Sequence, residues 1–226
     1  AGGGEAGGVV RFALHGAERV EAERGIEGAC PGCGARVVPK CGDIVAWHWS
    51  HLAGKDCDPW FEPESEWHRD WKSLLAPAER QEVVMRREGV VHRADVVMGN
   101  GHVCEIQHSA ISPAEIAERE AFYRTAAGGG AWLFDARSCD GRFQLDPWVN
   151  RHTTTGSGSI AERWFCFQWK RPRESWFFAT APMFWDVGSG FVWKVGIQLE
   201  TPWLYACPYP VDEFVRVIRA ETPACP

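Results

Sequence analysis

The chain has 226 residues, a formal net charge of −6 at neutral pH and 45% hydrophobic residues. This size allows a buried core in one elaborated domain or in two small domains. No stretch approaches the roughly 18 consecutive apolar residues of a membrane span, and the start lacks the regions of a signal peptide. These features predict a soluble, cytoplasmic protein. The acidic balance argues against non-specific coating of nucleic acid, because phosphate affinity comes from lysine and arginine.

Four segments follow one another along the chain. Residues 1–8 are glycine-rich and predict a disordered tail, since glycine has a large backbone entropy. Residues 9–61 contain short strand-like runs around cysteines and predict an N-terminal zinc ribbon. Residues 62–137 alternate helix and strand patterns, as expected of a catalytic core. Residues 138–226 carry tryptophan and phenylalanine runs broken by glycine and proline, which predicts a β-rich region.

Cysteines crowd into the second segment. The chain has nine cysteines, an odd number, and the first four lie between Cys30 and Cys57. Metal binding explains this better than a disulfide framework. The pair Cys30-x-x-Cys33 has the spacing of a zinc knuckle, and a ribbon this small has too little core without a metal. The further candidate ligands are Cys41, His48, His51 and Cys57. The residues alone leave open which of these complete the site, and buried free thiols are the alternative.

Helix signals open the third segment. A helix is expected from Pro63, at its first position, to Leu75, with an apolar stripe. The stripe consists of Trp67, Trp71, Leu74 and Leu75. Helical periodicity places Glu64, His68 and Lys72 on one polar face.

Three strands are expected next, at residues 82–86, 92–98 and 102–107, with a tight turn at residues 99–101 joining the last two. Asp95 and Glu105 then lie on paired strands. A helix from Ser112 to about Ala126 and a strand at residues 131–135 complete the pattern. This order predicts an α/β (α+β) fold, a mixed sheet flanked by helices.

The acidic residues of the paired strands suggest a second kind of metal site. The hairpin can bring Asp95 and Glu105 to one hard cation such as Mg²⁺ or Mn²⁺. Such an ion polarises a phosphoryl oxygen and lowers the pKa of a bound water for attack on a phosphodiester. Acidic residues on short strands are often solvated edge groups, so the spacing alone decides little.

Four motifs in the third segment occur in a characteristic order. They are Glu64-Ser65-x-x-His68, Arg93-Ala94-Asp95-Val96, Glu105-Ile106-Gln107-x-Ser109 and Arg119-x-x-x-Tyr123. From about residue 30 to residue 135, the chain resembles the competence protein CoiA-like nucleases, regarded as a branch of the PD-(D/E)XK superfamily. The resemblance implies a restriction-endonuclease-like sheet.

The resemblance also implies roles for individual residues. Asp95 and Glu105 bind the catalytic Mg²⁺ or Mn²⁺, together with the Ile106 carbonyl, while Glu64 orients the site or a second ion. His68 faces the phosphate or water. Gln107 stands where the superfamily often has lysine; its amide can orient a water but supplies no positive charge.

The ribbon of the CoiA-like proteins is similar to this one in its ligand pattern. There a Cys-x-x-Cys pair precedes a His-aromatic-x-His segment, here His48-Trp49-Ser50-His51. This resemblance favours Cys30, Cys33, His51 and Cys57 as the Zn²⁺ ligands. His48 or Cys41 remains an alternative for one position.

A DNA contact is expected in the last segment. Between Trp169 and Trp176, the basic residues Lys170, Arg171 and Arg173 interleave with aromatic rings, a mixture that contacts phosphates and stacks on bases. Lys72 is a further candidate. The alternative is a strand whose tryptophans pack inward while its charges are solvated.

The sequence therefore predicts a metal-dependent deoxyribonuclease that hydrolyses incoming or foreign DNA, in competence or in defence. A non-catalytic nucleic-acid-binding module with the same fold is the alternative, and a Trp-rich interaction protein ranks third. DNA is the expected partner, with no membrane. Strand preference, specificity, cleavage from ends or within, and oligomeric state are not readable from these residues.

Overall fold

The structure is a computed structural model that describes residues 8–44, 46–52, 57–60, 64–139, 141–145, 165–197 and 204–219. The smaller sheet consists of β1 (Val9–Val10), β2 (Phe12–His15), β3 (Glu18–Glu21), β4 (Gly28–Ala29), β5 (Arg36–Lys40) and β6 (His48–His51). The larger sheet consists of β7 (Gln81–Arg87), β8 (Val90–Val97), β9 (Val103–Gln107), β10 (Gly130–Asp135), β11 (Phe143–Leu145), β12 (Phe165–Trp169), β13 (Met183–Asp186), β14 (Phe191–Ile197) and β15 (Leu204–Pro210). The α-helices are α1 (Glu66–Leu75), α2 (Pro113–Ala126) and α3 (Val211–Arg219).

The smaller sheet is antiparallel, with the strand order β1-β6-β5-β4-β2-β3. Its core centres on Trp49, which is completely buried among Val10, Ala13 and Val37. Gly28 lies where a Cβ would come within 2.7 Å of the Ala13 side chain, so this position of β4 requires glycine. Gly8 was expected to belong to the disordered tail of residues 1–8, but its carbonyl accepts hydrogen bonds from His51 of β6. Residues 1–7 lie outside the described residues.

Helix α1 begins three residues later than the sequence predicted. The expected start at Pro63 is wrong, because Ser65 caps the helix and His68 completes a capping box with it. Pro63 itself lies outside the described residues. Leu74 is 41% exposed, so its place in the apolar stripe is also wrong. Trp67, Trp71 and Leu75 are buried as expected.

The larger sheet has the order β11-β12-β15-β14-β13-β10-β9-β8-β7. Strands β8 and β9 form the expected antiparallel hairpin, and β9 pairs in parallel with β10 after the crossover through α2. Ser112 caps α2 by accepting from the Glu115 backbone N–H at 3.1 Å. Helices α1 and α3 cover one face, and α2 packs on the other. The mixed α+β architecture is thus confirmed, while the restriction-endonuclease-like fold stays a prediction.

The aromatic last segment continues the same sheet. Strand β13 pairs in parallel with β10, so strands on both sides of the expected boundary at residue 138 share one sheet. The aromatic rings form a core, in which Phe134 stacks on Trp176 at 4.4 Å and Trp169 contacts Trp185 at 4.8 Å. Helix α3, which the sequence did not predict, packs Phe214 against Trp71 at 5.8 Å.

The two sheets contact each other along β7. The Arg86 guanidinium donates to the carbonyls of Pro31 and Gly32 at 2.9 and 2.7 Å, which fixes the cysteine knuckle on the larger sheet. Arg19 of β3 donates to the Ala78 and Gln81 carbonyls at 2.6 and 2.5 Å. These contacts hold the N-terminal module beside the strands that carry the acidic residues.

Candidate functional site

Three thiols and one imidazole converge in the N-terminal module. Cys30, Cys33, His51 and Cys57 place their ligand atoms within 4.8 Å of one another. The knuckle supplies two thiols, β6 supplies the histidine, and the chain returns after β6 to add the last thiol. The Cys33 Sγ lies 3.4 Å from His51 Nε2, and the Cys30 and Cys57 Sγ atoms are 3.5 Å apart.

The chemistry of this Cys₃His cluster fits Zn²⁺, which takes four thiolate and imidazole ligands in structural sites. The His51 Nδ1–H donates to the Gly8 carbonyl at 2.6 Å, which leaves Nε2 as the ligand atom and fixes the ring. The two alternatives lie elsewhere. Cys41 packs beside the module's core, and His48 Nδ1 contacts the Ala46 carbonyl at 2.9 Å. The cluster can therefore bind a metal such as zinc through the four residues that the resemblance favoured.

A row of three carboxylates crosses β7, β8 and β9. The pairs on either side place Glu82 opposite Asp95. The β8–β9 register, continued by one residue from Val96 and Cys104, places Asp95 opposite Glu105. At this point side chains replace the ladder between β8 and β9: Asp95 accepts from the Ile106 N–H at 2.9 Å, and the Asp95 N–H donates to Glu105 at 3.3 Å. Glu82 has a φ of 51°, an uncommon backbone conformation for a residue other than glycine.

The ammonium group of Lys72 lies among these acids. Its Nζ is 2.8 Å from Asp95 and 3.1 Å from Glu64, and it also pairs with Glu82. The Lys72 side chain is 3% exposed. Burial disfavours the charged lysine, but the surrounding carboxylates outweigh it and raise its pKa well above the usual range. Lys72 thus serves as the shared counter-ion of three carboxylates.

Glu105 is held by the opposite helix. The Arg119 Nη1 donates to its Oε2 at 3.0 Å, and the Tyr123 hydroxyl donates to its Oε1 at 2.6 Å. Burial raises the pKa of Glu105, but the hydrogen bond and charge of His92, together with Arg119, outweigh it and bring the pKa to about 2. Glu105 is therefore ionised at neutral pH. For Asp95, burial dominates and raises the pKa to about 7.

A buried histidine joins Glu105 to the N-terminal module. The His92 Nδ1 lies 2.7 Å from Asp58, and its Nε2 lies 3.6 Å from Glu105. Burial lowers the pKa of His92, but these two carboxylates outweigh it and raise the pKa to about 9. His92 is therefore an imidazolium at neutral pH, with a carboxylate on each side.

A cavity of about 710 Å³ is lined by the acidic row and by the cations that contact it. Its lining from the larger sheet and helices includes Glu64, His68, Lys72, Glu82, His92, Arg93, Asp95, Glu105, Ile106 and Arg119. The N-terminal module adds Val9, Val10, Arg11, Ile44, Ala46 and His48 to the lining. The acidic row therefore borders an open cavity that residues of both sheets line.

The other expected site residues lie in different surroundings. His68 lines the cavity, and its Nδ1 accepts from the Ser65 N–H at 3.2 Å. Gln107 is buried behind Glu105, and its Oε1 accepts from Arg119 at 3.5 Å. Lys72 was expected to contact nucleic acid. In the structure it is buried and pairs with three carboxylates, so a contact with nucleic acid stays a prediction.

The basic residues of the aromatic segment lie far from the cavity. Strand β12 is six strand spacings from β8 in the sheet order, roughly 29 Å at about 4.8 Å each. Lys170 and Arg171 are exposed, and Arg173 covers the Trp176 ring at 5.0 Å. Trp169 and Trp176 are buried, so these rings pack inward. A DNA contact through the three basic residues stays a prediction.

Sequence reasoning missed three residues of the cluster and left two without a role. Glu82, His92 and Asp58 were not singled out, because each meets its partners only through the strand register or across the two modules. Arg119 and Tyr123 belong to a quoted motif. Their spacing of four residues puts both on one face of α2, which was the available signal for a shared partner.

The acidic row offers oxygen donors, which suit Mg²⁺ or Mn²⁺. In the described part of the chain, only the Cys–His cluster brings three or more ligand atoms within 4.8 Å of one another. Among the described residues, the carboxylates of the acidic row do not form such a group. A Mg²⁺ or Mn²⁺ site at these acids stays a prediction.

Comparison with known proteins bears on the N-terminal module. Residues 17–59 match the family described as competence protein CoiA, N-terminal domain. This range contains all four residues of the Cys–His cluster and ends one residue after Asp58. The match supports a relationship to CoiA proteins over a minor part of the chain. No curated protein and no solved structure matches the chain. None of the helices in the described ranges is long and apolar enough to cross a membrane.

Proposed function

We propose that the chain is a metal-dependent deoxyribonuclease that hydrolyses phosphodiester bonds of incoming or foreign DNA. The observation that carries the proposal is the row of Glu82, Asp95 and Glu105, which lines one cavity together with the buried Lys72. Buried carboxylates cost several kcal/mol each unless they are paired. A cluster that keeps so many of them at a cavity wall is more typical of a catalytic site than of a structural core.

Asp95, Glu105 and Glu64 would hold Mg²⁺ or Mn²⁺. When bound, the ion would polarise the phosphoryl oxygen and lower the pKa of a water nucleophile. Asp95 is the best placed of the three, because its carboxylate is 18% exposed while Glu105 is almost fully enclosed. Glu105 would orient the metal-binding edge of β9, since Arg119 and Tyr123 fix both of its oxygens.

Lys72 would supply the positive charge that Gln107 cannot. Its ammonium lies 2.8 Å from Asp95, the carboxylate best placed to hold the metal ion. Arg119 donates to both Glu105 and Gln107, so that the two neighbouring side chains of β9 keep a fixed orientation. Helices α1 and α2 thus each contribute one buried cation that contacts the acidic row, Lys72 and Arg119 respectively.

The family match supports the biological side of the proposal. The matching family is the N-terminal domain of a competence protein, which suggests a role in handling DNA that enters the cell. The matched range contains the Cys–His cluster and not the acidic row. The proposal of nuclease activity therefore rests on the residues of the cavity alone.

The test is a cleavage assay on plasmid, linear duplex and single-stranded DNA with Mg²⁺ or Mn²⁺. Asp95→Asn and Glu105→Gln should each lower the cleavage rate by roughly 100-fold or more, while both variants still bind DNA. The matched control is Glu79→Gln, an exposed glutamate just before β7, which should cleave at the wild-type rate. Equal rates for all four proteins would reject the catalytic assignment.

The second candidate is a nucleic-acid-binding module without catalysis. One observation favours it: both oxygens of Glu105 already accept from protein donors. In that case the cluster is a buried ion network that fixes the shape of a binding cavity. Wild-type protein that binds DNA but does not cut it with either metal ion would support this candidate.

A further inference from the structure

A short segment connects the Cys–His cluster to the acidic row. It consists of residues 57–60, Cys57-Asp58-Pro59-Trp60, hereafter the 57–60 segment. Its first residue is one of the four candidate zinc ligands. The remainder lies against β8 and α2, which carry the residues that hold Glu105. Neither the sequence motifs nor the family match assigns a role to Asp58 or Trp60.

The first connection runs through Asp58. Its carboxylate is 4% exposed and accepts from the Arg93 N–H at 3.0 Å, while His92 Nδ1 lies 2.7 Å from the other oxygen. The opposite nitrogen of His92 faces Glu105 at 3.6 Å. Asp58 therefore fixes the ring that carries positive charge to Glu105.

The second connection runs through Trp60. Its carbonyl accepts from Arg119 Nη2 at 2.9 Å, and Nη1 of the same guanidinium donates to Glu105. The Trp60 ring packs edge-on against His92 at 4.8 Å and against Phe122 at 5.6 Å. Both cations that hold Glu105 are thus anchored to the same four residues.

We infer that the 57–60 segment couples occupancy of the Cys–His cluster to the geometry of Glu105, with Asp58 as the positioning residue. The inference rests on the proposed zinc binding and on the proposed function of the cavity. Cys57 and Asp58 are consecutive, with Cα atoms about 3.8 Å apart. A displacement of the Cys57 thiol therefore moves the carboxylate that orients His92. Zinc in the N-terminal module shapes the acidic site, in addition to stabilising its own fold.

The coupling gives the zinc module a specific task. Partners that orient metal-site and catalytic ligands typically change affinity or activity 10- to 100-fold when they are replaced. By linkage, a perturbation of His92 or Arg119 also changes zinc affinity, because coupling between two sites is reciprocal. The zinc occupancy of the N-terminal module then determines the geometry of Glu105 in the neighbouring cavity.

The test compares Asp58→Asn with a matched control, Arg19→Ala, in the full chain. The asparagine keeps the shape of the side chain but accepts at only one oxygen, whereas Arg19 joins the same two modules through other residues. Zinc content and melting temperature check that both variants fold. Nuclear magnetic resonance then follows the ring nitrogens of His92 and the Nε–H of Arg119.

With zinc bound, Asp58→Asn should displace the His92 signals and lower Mg²⁺-dependent cleavage by roughly 10- to 100-fold, while Arg19→Ala leaves both unchanged. Removing zinc from the wild-type chain should displace the signals of His92 and Arg119. The indole signal of Trp185, buried on the middle strand of the larger sheet, reports whether this sheet stays folded.

Two results would overturn the coupling. One is a zinc-free chain with an intact Trp185 signal and unchanged His92 and Arg119 signals. The other, decisive if zinc removal unfolds the chain, is an Asp58→Asn variant whose His92 signals match the wild type. If the wild type never cleaves DNA, the proposed function fails, while the resonance measurements still decide the coupling.

Discussion

The two ends of the larger sheet bury different kinds of side chain. At the end formed by β7, β8 and β9, charged side chains are buried in contact with one another, and Lys72 alone pairs with three carboxylates. At the end formed by β11 to β15, aromatic rings fill the interior. There the indole N–H groups of Trp169, Trp176 and Trp185 are buried without a hydrogen-bond partner in the described part of the chain.

The aromatic end mainly stabilises the fold, whereas the charged end mainly serves the function of the cavity. The aromatic end gains free energy from the area that its rings bury, enough to tolerate unpaired indole donors. The charged end gains little net stability, because the desolvation of ions offsets their attraction. Its arrangement is better explained by a function at the cavity. Substitutions at the two ends should therefore affect unfolding and cleavage in different proportions.

Replacing Lys72 by alanine should have the largest effect at the charged end. It leaves the partly buried Glu64, Glu82 and Asp95 without their shared counter-ion, and breaking a buried ion cluster costs about 3–5 kcal/mol. Urea denaturation measures the loss. Lys170→Ala, at an exposed position, should change the free energy of unfolding by less than about 0.5 kcal/mol. A small effect of Lys72→Ala would mean that the acids find another counter-charge.

Replacing Trp185 by alanine tests the aromatic end with a comparable cost in stability. The ring is fully buried, and truncation of a buried tryptophan costs about 3–5 kcal/mol. Cleavage per folded molecule should stay at the wild-type level, because the ring packs in the aromatic core and does not line the cavity. Trp47→Ala, at an exposed position, is the control for the change in the free energy of unfolding. A loss of cleavage without unfolding in Trp185→Ala would contradict the division between the ends.

Tyr123→Phe should have an intermediate effect. The substitution removes one hydroxyl that donates to Glu105 at 2.6 Å, and leaving a buried acceptor short of a donor costs about 1–3 kcal/mol. Both the unfolding free energy and the cleavage rate should fall. Tyr205→Phe, on β15, is the matched control. Unchanged cleavage in Tyr123→Phe would indicate that Arg119, His92 and the Asp95 N–H hold Glu105 without the hydroxyl.

The smallest effect on stability is expected for Lys170→Ala and Arg171→Ala. Both side chains are exposed at the aromatic end. If they contact phosphates, each replacement should weaken DNA binding and reduce the salt dependence, the slope of log K against log salt, by about 0.9. Fluorescence anisotropy at several salt concentrations measures this, with the exposed Arg216→Ala as the control. An unchanged slope would remove DNA contact from this end.

Local signals predicted the elements that hold the candidate sites. The turn before β9 and the Ser112 cap of α2 depend on a few neighbouring residues, and both occur where the sequence indicated. The start of α1 was misplaced, because a capping box at Ser65 overrides the preference of Pro63 for a first helical turn. Helix α3 was missed because Pro208 and Pro210 obscure its start.

The candidate acidic site was only partly predictable. Asp95 and Glu105 were expected on neighbouring strands, but Glu82 joins them through the register of β7, which no local pattern encodes. Likewise Asp58 meets His92 over a separation of 34 residues and between two modules. The role of Lys72 as a buried counter-ion depends on how deeply α1 packs on the sheet.

The sequence by itself determined where the Cys–His cluster lies, because all six candidate ligands fall within one short stretch of the chain. The choice of Cys30, Cys33, His51 and Cys57 among them came from the resemblance to the CoiA-like proteins. It also determined the alternation of helix and strand, since periodicity and caps act over a few residues. The tertiary structure alone decided which charges share a cavity, which tryptophans form core, and how the 57–60 segment reaches Glu105. These outcomes depend on contacts between distant residues, whose free energies are set by burial and desolvation after the elements have packed.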